Sequence, residues 1–213
     1  MDIKGVLFDM DGVICDTNPY HSLAFKAFFN KRGIYPDQSE FEDHMYGKYN
    51  SYIFSHFMNR KIEGEELAQF ENEKEALFRS IYKDVVNPIL GFKKFLNLLK
   101  ENGIKTAVAT SAPRANMDLI LSTLNIDAFF ESKLGSEDVD QHKPNPEVYL
   151  KSMDNLKLLP NECVVFEDSY SGVSAGLKAK CKVVGVLTSH TAKDLPPCDL
   201  YINNYQRMHF PFL

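Results

Sequence analysis

The short apolar run Val6-Leu7-Phe8 breaks into Asp9-Met10-Asp11-Gly12-Val13, which sets two carboxylates and a glycine in quick succession. An apolar run of this length bounded by Gly reads as a buried strand. Side chains alternate faces along a strand, so Asp9 and Asp11 point to one side if the strand geometry persists to its end. Two carboxylates in one small dry volume do not both stay ionised comfortably unless a cation or a proton intervenes. The pair therefore implies a metal ion or a shifted pKa; the alternative is a solvated loop following the strand.

Two further apolar runs end in polar residues of suitable kinds. Ala107-Val108-Ala109 runs into Thr110-Ser111 just before a helix. Hydroxyls and free amides there can hold phosphate oxygens, or simply cap the helix. Val164-Val165-Phe166 runs into Glu167-Asp168. Carboxylates gathered at one sheet edge make an oxygen-rich pocket suited to a hard ion, and no Cys or His cluster competes for that role, so magnesium is the natural cofactor. Charge balance calls for a cation near an anionic substrate. Lys143, in His142-Lys143-Pro144-Asn145-Pro146, supplies one just before a helix that Pro146 starts; taken singly it reads equally as a surface lysine.

These residues need a frame that brings strand ends together. After the first strand, Asn18-Pro19 signals a helix start, with the helix running to about Arg32-Gly33. From there to about residue 82 the sequence is polar and helical in period, with Ile53, Phe54, Phe57 and Met58 on one stripe and Leu67, Phe70, Leu77 and Ile81 on another. Residues 16–83 thus read as a helical insertion. Beyond Val85-Val86-Asn87-Pro88 a helix over 91–101 ends at Asn102-Gly103, a left-handed stop. Strands at 104–109, 164–166 and 183–187 then alternate with helices around 117–124, from Pro146 and over 171–180. Such alternation predicts an α/β fold: a Rossmann-like parallel sheet sandwiched by helices, built from residues 1–15 and 84–213. In open sheets of this kind, ligands bind outside the carboxyl ends of the strands, where the acids and hydroxyls fall.

Bulk properties narrow the function. The 213 residues carry a net charge of −5 and no basic block, which argues against a nucleic-acid or membrane-surface partner. The four cysteines, Cys15, Cys163, Cys181 and Cys198, have neither CxxC nor zinc spacing and fit a reducing cytosol. No basic-then-apolar leader opens the chain and no apolar run is long enough to span a bilayer. A soluble cytoplasmic monomer is the expectation.

Asp9-Met10-Asp11-Gly12-Val13, continuing to Asp16-Thr17, resembles the DxDG motif of the haloacid dehalogenase-like superfamily, in its phosphatase and phosphomutase branch. Thr110 matches the second motif, Lys143-Pro144 the third and Glu167-Asp168 the fourth, in the expected order over essentially the whole core. Glu167-Asp168-Ser169-Tyr170-Ser171-Gly172 is similar to the branch's EDSxxG. The resemblance implies that Asp9 is the nucleophile, forming an aspartyl-phosphate, and that Asp11 is the general acid and base. It implies magnesium held by Asp9, Asp168 and the Asp11 carbonyl, with Glu167 acting directly or through water. Thr110 and Lys143 would bind the transferring phosphoryl group, with Ser111 adjacent. Dehalogenases of the superfamily lack the second acid, so Asp11 favours phosphoryl transfer.

The resemblance also makes the helical insertion a cap that closes over the core and selects substrate. Lys74, on the stripe between Phe70 and Leu77, either snorkels out or faces the cleft, the latter being favoured. His21 either reads substrate or supports the cap, or is a structural histidine of its helix. Lys48, after Gly47, lies in a loop that contributes specificity in relatives. The β-phosphoglucomutase pattern there has an arginine for a second phosphate, which Gly47-Lys48-Tyr49-Asn50-Ser51-Tyr52 lacks. The expected function is therefore a magnesium-dependent phosphatase of a small phosphorylated metabolite such as a sugar phosphate. A phosphomutase or a pyrophosphatase is the alternative, and a non-catalytic binding protein the most distant one. The C-terminal stretch with Phe210-Pro211-Phe212 is left between closing the sheet edge and making a contact.

Overall fold

The computed structural model describes residues 3–45 and 48–211, so Gly47, Phe212 and Leu213 lie outside the described residues. By its internal packing the chain divides into two units, Met1–Thr17 with Val86–Leu213, and Asn18–Val85.

Among its described residues the first unit is built on six strands: β1 (Gly5–Phe8), β2 (Lys105–Ala109), β3 (Ser132–Leu134), β4 (Cys163–Glu167), β5 (Lys182–Val186) and β6 (Leu200–Ile202). Their order across the sheet is β3-β2-β1-β4-β5-β6, and every neighbouring pair is parallel. The strands β1, β2, β4 and β5 are near-continuous apolar runs because both faces are covered. Leu7, Ala107, Val165 and Val183 pack on one face with Val148, Tyr149 and Met153 of α7 (Glu147–Leu156) and Val173 and Ala175 of α8 (Tyr170–Lys178). Phe8 and Phe166 project to the other face. There they meet Phe92 and Phe95 of α5 (Phe92–Glu101), with Phe8 and Phe92 centroids 5.2 Å apart in an edge-to-face contact. Among the described residues the unit's remaining α-helix is α6 (Arg114–Thr123).

This is the helix-covered parallel sheet that the alternation predicts, with two strands more than the periodicity gave. Both β3 and β6 are edge strands of three residues, too short to display a period. Of the described C-terminal residues only Tyr205 enters the core, while 206–211 are exposed or half-buried and β6 forms the sheet edge. Tyr205 is buried, its ring against Phe92, Phe95 and Phe166, and its hydroxyl donates to the Val13 carbonyl at 3.1 Å.

The second unit contains α1 (Asn18–Asn30), α2 (Gln38–Met45), α3 (Asn50–Phe57) and α4 (Gly64–Tyr82). Phe25, Phe28, Phe29, Phe41, Ile53, Phe54, Phe57 and Ile62 form its core. α1 stops two residues before the expected Arg32-Gly33, which forms a turn instead. On α4 the predicted stripe is only half-buried at Leu67, Phe70 and Leu77, while Lys74, Glu75, Phe78 and Tyr82 are the buried residues. Among the described residues no helix is long and apolar enough to cross a membrane.

Candidate active site

The register of the sheet brings the chemistry together. Phe8 pairs with Val108 on one side and with Phe166 on the other. The next residues, Asp9, Ala109 and Glu167, therefore leave three adjacent strands at the same level. The sheet order reverses at β1, so this edge is the switch point where open α/β sheets bind ligands. Lys143 enters from the loop before α7 and ties the three strands. Its Nζ donates to Asp9 Oδ1 at 2.6 Å, to Glu167 Oε1 at 2.6 Å and to the Ala109 carbonyl at 2.9 Å. The ammonium thus has an acceptor for each of its protons, and its side chain is 4% exposed.

Carboxylate oxygens of Asp9, Glu167 and Asp168 lie within 4.8 Å of one another, and all three residues are buried. Such crowding is electrostatically costly. Burial, with the Glu167 and Asp11 charges adding, raises the Asp9 pKa from 3.8 to about 7 in spite of the opposing Lys143. Burial, with the Glu167, Asp9 and Asp11 charges adding, holds Asp168 well above the ordinary carboxylate range in spite of the Ser189 hydroxyl. Burial alone would lower Lys143, but Asp9 and Glu167 outweigh it and keep the ammonium firmly protonated. A divalent cation fits this donor set, since oxygen ligands with excess negative charge in a buried pocket are what a hard ion requires.

The other predicted residues are arranged around this centre. Asp11, less buried than Asp9, accepts from the Thr17 hydroxyl at 2.6 Å, which fixes its carboxylate. Thr110, buried one residue past Ala109, accepts the Ala112 amide at 3.1 Å, and Ser111 beside it is exposed. Two glycines make the packing possible. Gly12 has φ +74, and a Cβ there would stand 1.9 Å from Asp168 Oδ2; a Cβ on Gly172 would stand 1.8 Å from Glu167 Oε1.

Three residues of the second unit were also predicted. Lys74 does not snorkel: its ammonium is buried, donating to Glu75 Oε1 at 2.7 Å and lying 2.9 Å from His21 Nδ1, over the Phe25 ring. The His21 ring stacks on Phe78 with centroids 3.9 Å apart. Glu75 follows Lys74 on α4 but lies off the apolar stripe, and His21 meets the ammonium only once α1 packs on α4. Lys48 is exposed, its ammonium 5.9 Å from the Tyr52 ring centre.

Residues that sequence reasoning missed complete the centre. The Tyr149 hydroxyl donates to Glu167 Oε1 at 2.6 Å, and its ring lies 4.9 Å from Lys143 Nζ. Ser189 donates to Asp168 Oδ2, and Thr188 donates to the Gly12 carbonyl at 2.6 Å. Thr188 and Ser189 follow β5 at the same sheet edge, so the rule that located Thr110 and Glu167 would have located them too. Tyr149 gave no such signal, since it reads as one apolar position of a helix.

The chain is 31% identical over 192 residues to a phosphorylated carbohydrates phosphatase of Thermotoga maritima, covering 88% of this chain and 87% of that one. It is 30% identical over 210 residues to hexitol phosphatase A of Escherichia coli, covering 98% and 94%. Its structure is similar to a β-phosphoglucomutase of Clostridium difficile, with TM-score 0.81 and 26% identity over 98% of this chain and 94% of the other. The family model described as haloacid dehalogenase-like hydrolase matches residues 6–186, a span that holds all of β1 but Gly5, all of β2, β4 and β5, and every acid gathered at their ends. The chain belongs to the haloacid dehalogenase-like hydrolase family.

Proposed function

We propose that this hydrolase is a magnesium-dependent phosphatase of a small phosphorylated metabolite, a sugar phosphate or similar, acting through an aspartyl-phosphate on Asp9. The observation that carries this reading is the buried trio Asp9, Glu167 and Asp168 gathered around a single ammonium, Lys143. The substrate class rests on the printed activities of the two phosphatase relatives.

A carboxylate oxygen of Asp9 attacks phosphorus as the bond to the leaving oxygen breaks, and Asp11, protonated, gives its proton to that oxygen. Asp11, now ionised, takes a proton from water as the water oxygen attacks the same phosphorus. The bond to Asp9 breaks and inorganic phosphate leaves. Lys143 and Thr110 stabilise charge on the transferring oxygens, with Ser111 adjacent. Asp9 and Asp168, with the Asp11 carbonyl and Glu167 beside them, would hold the magnesium ion. When bound, it offsets the repulsion between a carboxylate nucleophile and an anionic substrate. The helical unit, with Lys48, His21 and Lys74 as its candidate residues, selects the substrate.

The test is phosphate release over a panel of sugar phosphates, other phosphomonoesters and pyrophosphate, with magnesium and with chelator. A chelator-sensitive preference that disappears in Asp9→Asn is expected; wild-type release by that variant rejects the nucleophile assignment. Likeness to a β-phosphoglucomutase favours a mutase as the second reading. A silent panel would support it, and conversion of β-glucose 1-phosphate to glucose 6-phosphate would then be assayed.

A further inference from the structure

Tyr149 touches both members of the ion pair at the centre of the site. It lies in the first turn of α7, six residues after Lys143, and is fully buried. A buried phenol needs a partner, and this one donates to Glu167 Oε1 at 2.6 Å, the same oxygen that accepts from Lys143. The face of its ring lies 4.9 Å from the Lys143 ammonium. The other oxygen of Glu167 accepts from the amides of Asp168 and Ser169, at 3.1 and 3.4 Å, and from the Ser169 hydroxyl at 3.1 Å. Glu167 is thus held from both ends, with Tyr149 as the side-chain donor that competes with Lys143 for Oε1.

We propose that Tyr149 is a positioning residue that sets how the Lys143 ammonium is shared between Glu167 and Asp9. With the phenol present, Glu167 Oε1 is satisfied by two donors, and Lys143 reaches Asp9 Oδ1 at an equal 2.6 Å. Without it, Glu167 becomes the stronger acceptor for the ammonium, which is drawn away from Asp9 and from the phosphoryl oxygens it serves. Removing a hydrogen bond to a charged group at such a centre lowers turnover by about ten-fold or more. A charge aimed at the transition state rather than the bound substrate acts on kcat and leaves KM nearly unchanged.

The role rests on the proposed phosphatase reading, and the test separates the two. Tyr149→Phe keeps the ring and removes only the donor; Tyr149→Met keeps bulk and removes both contacts. The Lys143 side-chain ammonium is followed in metal-free protein by 15N-resolved NMR, with Lys143→Met assigning its signal. Kinetics are measured in parallel on the best substrate of the panel. Expected are a displaced, faster-exchanging Lys143 signal in Tyr149→Phe, kcat lowered about ten-fold at near-constant KM, and a larger loss in Tyr149→Met. An unchanged Lys143 signal with wild-type kcat in Tyr149→Phe overturns the proposal, as does a loss of activity that only tracks a loss of folded protein. If wild type releases no phosphate, the phosphatase reading fails, while the NMR comparison still decides whether Tyr149 governs Lys143.

Discussion

Asp9 carries electrostatic strain that the opposing Lys143 ammonium does not fully relieve. Its folded-state pKa of about 7 stands above the unfolded value of 3.8, so the folded, metal-free chain binds more protons than the unfolded chain between these limits. Stability that is fully present below about pH 4 is therefore lost as pH rises through about 7. Melting of metal-free wild type and Asp9→Asn by calorimetry at pH 5 and pH 8 reports on the coupled carboxylates of which Asp9 is one. Wild type is expected to lose stability relative to the variant on going to pH 8. Magnesium should restore it, and by more at pH 8 than at pH 5, because the ion binds the ionised carboxylate. Equal magnesium shifts at both pH values would reject the cluster as the cation site.

At the scale of elements, the N-terminus of α8 joins stability to the site. Ser169 is its N-cap, accepting the Gly172 amide at 3.0 Å, and its hydroxyl also donates to Glu167 at 3.1 Å. Close approach here depends on Gly172, and one turn later on Gly176, whose Cβ would stand 3.0 Å from Val183 Cγ2. Ser169→Ala removes the cap and one of Glu167's donors together. Chemical denaturation should register a loss of about 1 kcal/mol for the cap, with up to about 3 kcal/mol if the buried carboxylate is left short of a donor. Ser169→Thr should recover most of it, and a variant as stable as wild type would show that the cap is dispensable.

Among the described residues each of the two units packs a hydrophobic centre of its own. One lies on the two faces of the sheet; the other is the aromatic cluster of residues 18–85, where Phe54 sits 4.9 Å from Phe28 and 5.5 Å from Phe25 and Phe70. Phe54→Ala removes a fully buried ring and should cost about 3–5 kcal/mol. Because each unit packs its own core, hydrogen exchange should quicken across α1, α3 and α4 while amides of β1 and β4 keep their protection. Uniform loss of protection across both units would mean that they unfold as one.

The sequence by itself determined the local periods and the chemistry at strand ends. Four of the six strands and the helices around them were legible, because buried strands must be apolar and helices must alternate with them in a parallel sheet. Asp9, Asp11, Thr110, Glu167 and Asp168 stood out because each follows an apolar run with a residue type suited to phosphate or a hard cation, whereas Lys143, in a proline-flanked loop, was separated from a surface lysine only by the family resemblance. Edge strands β3 and β6 were not, since three residues carry no period. Tertiary structure alone decided which groups share a charge. Lys74 found His21 inside its unit, Ser189 came to Asp168, and Tyr149 joined Lys143 and Glu167. These partnerships join residues up to 53 positions apart in the chain. No local pattern encodes them, because a buried charge selects its partner by the packing that removes it from water.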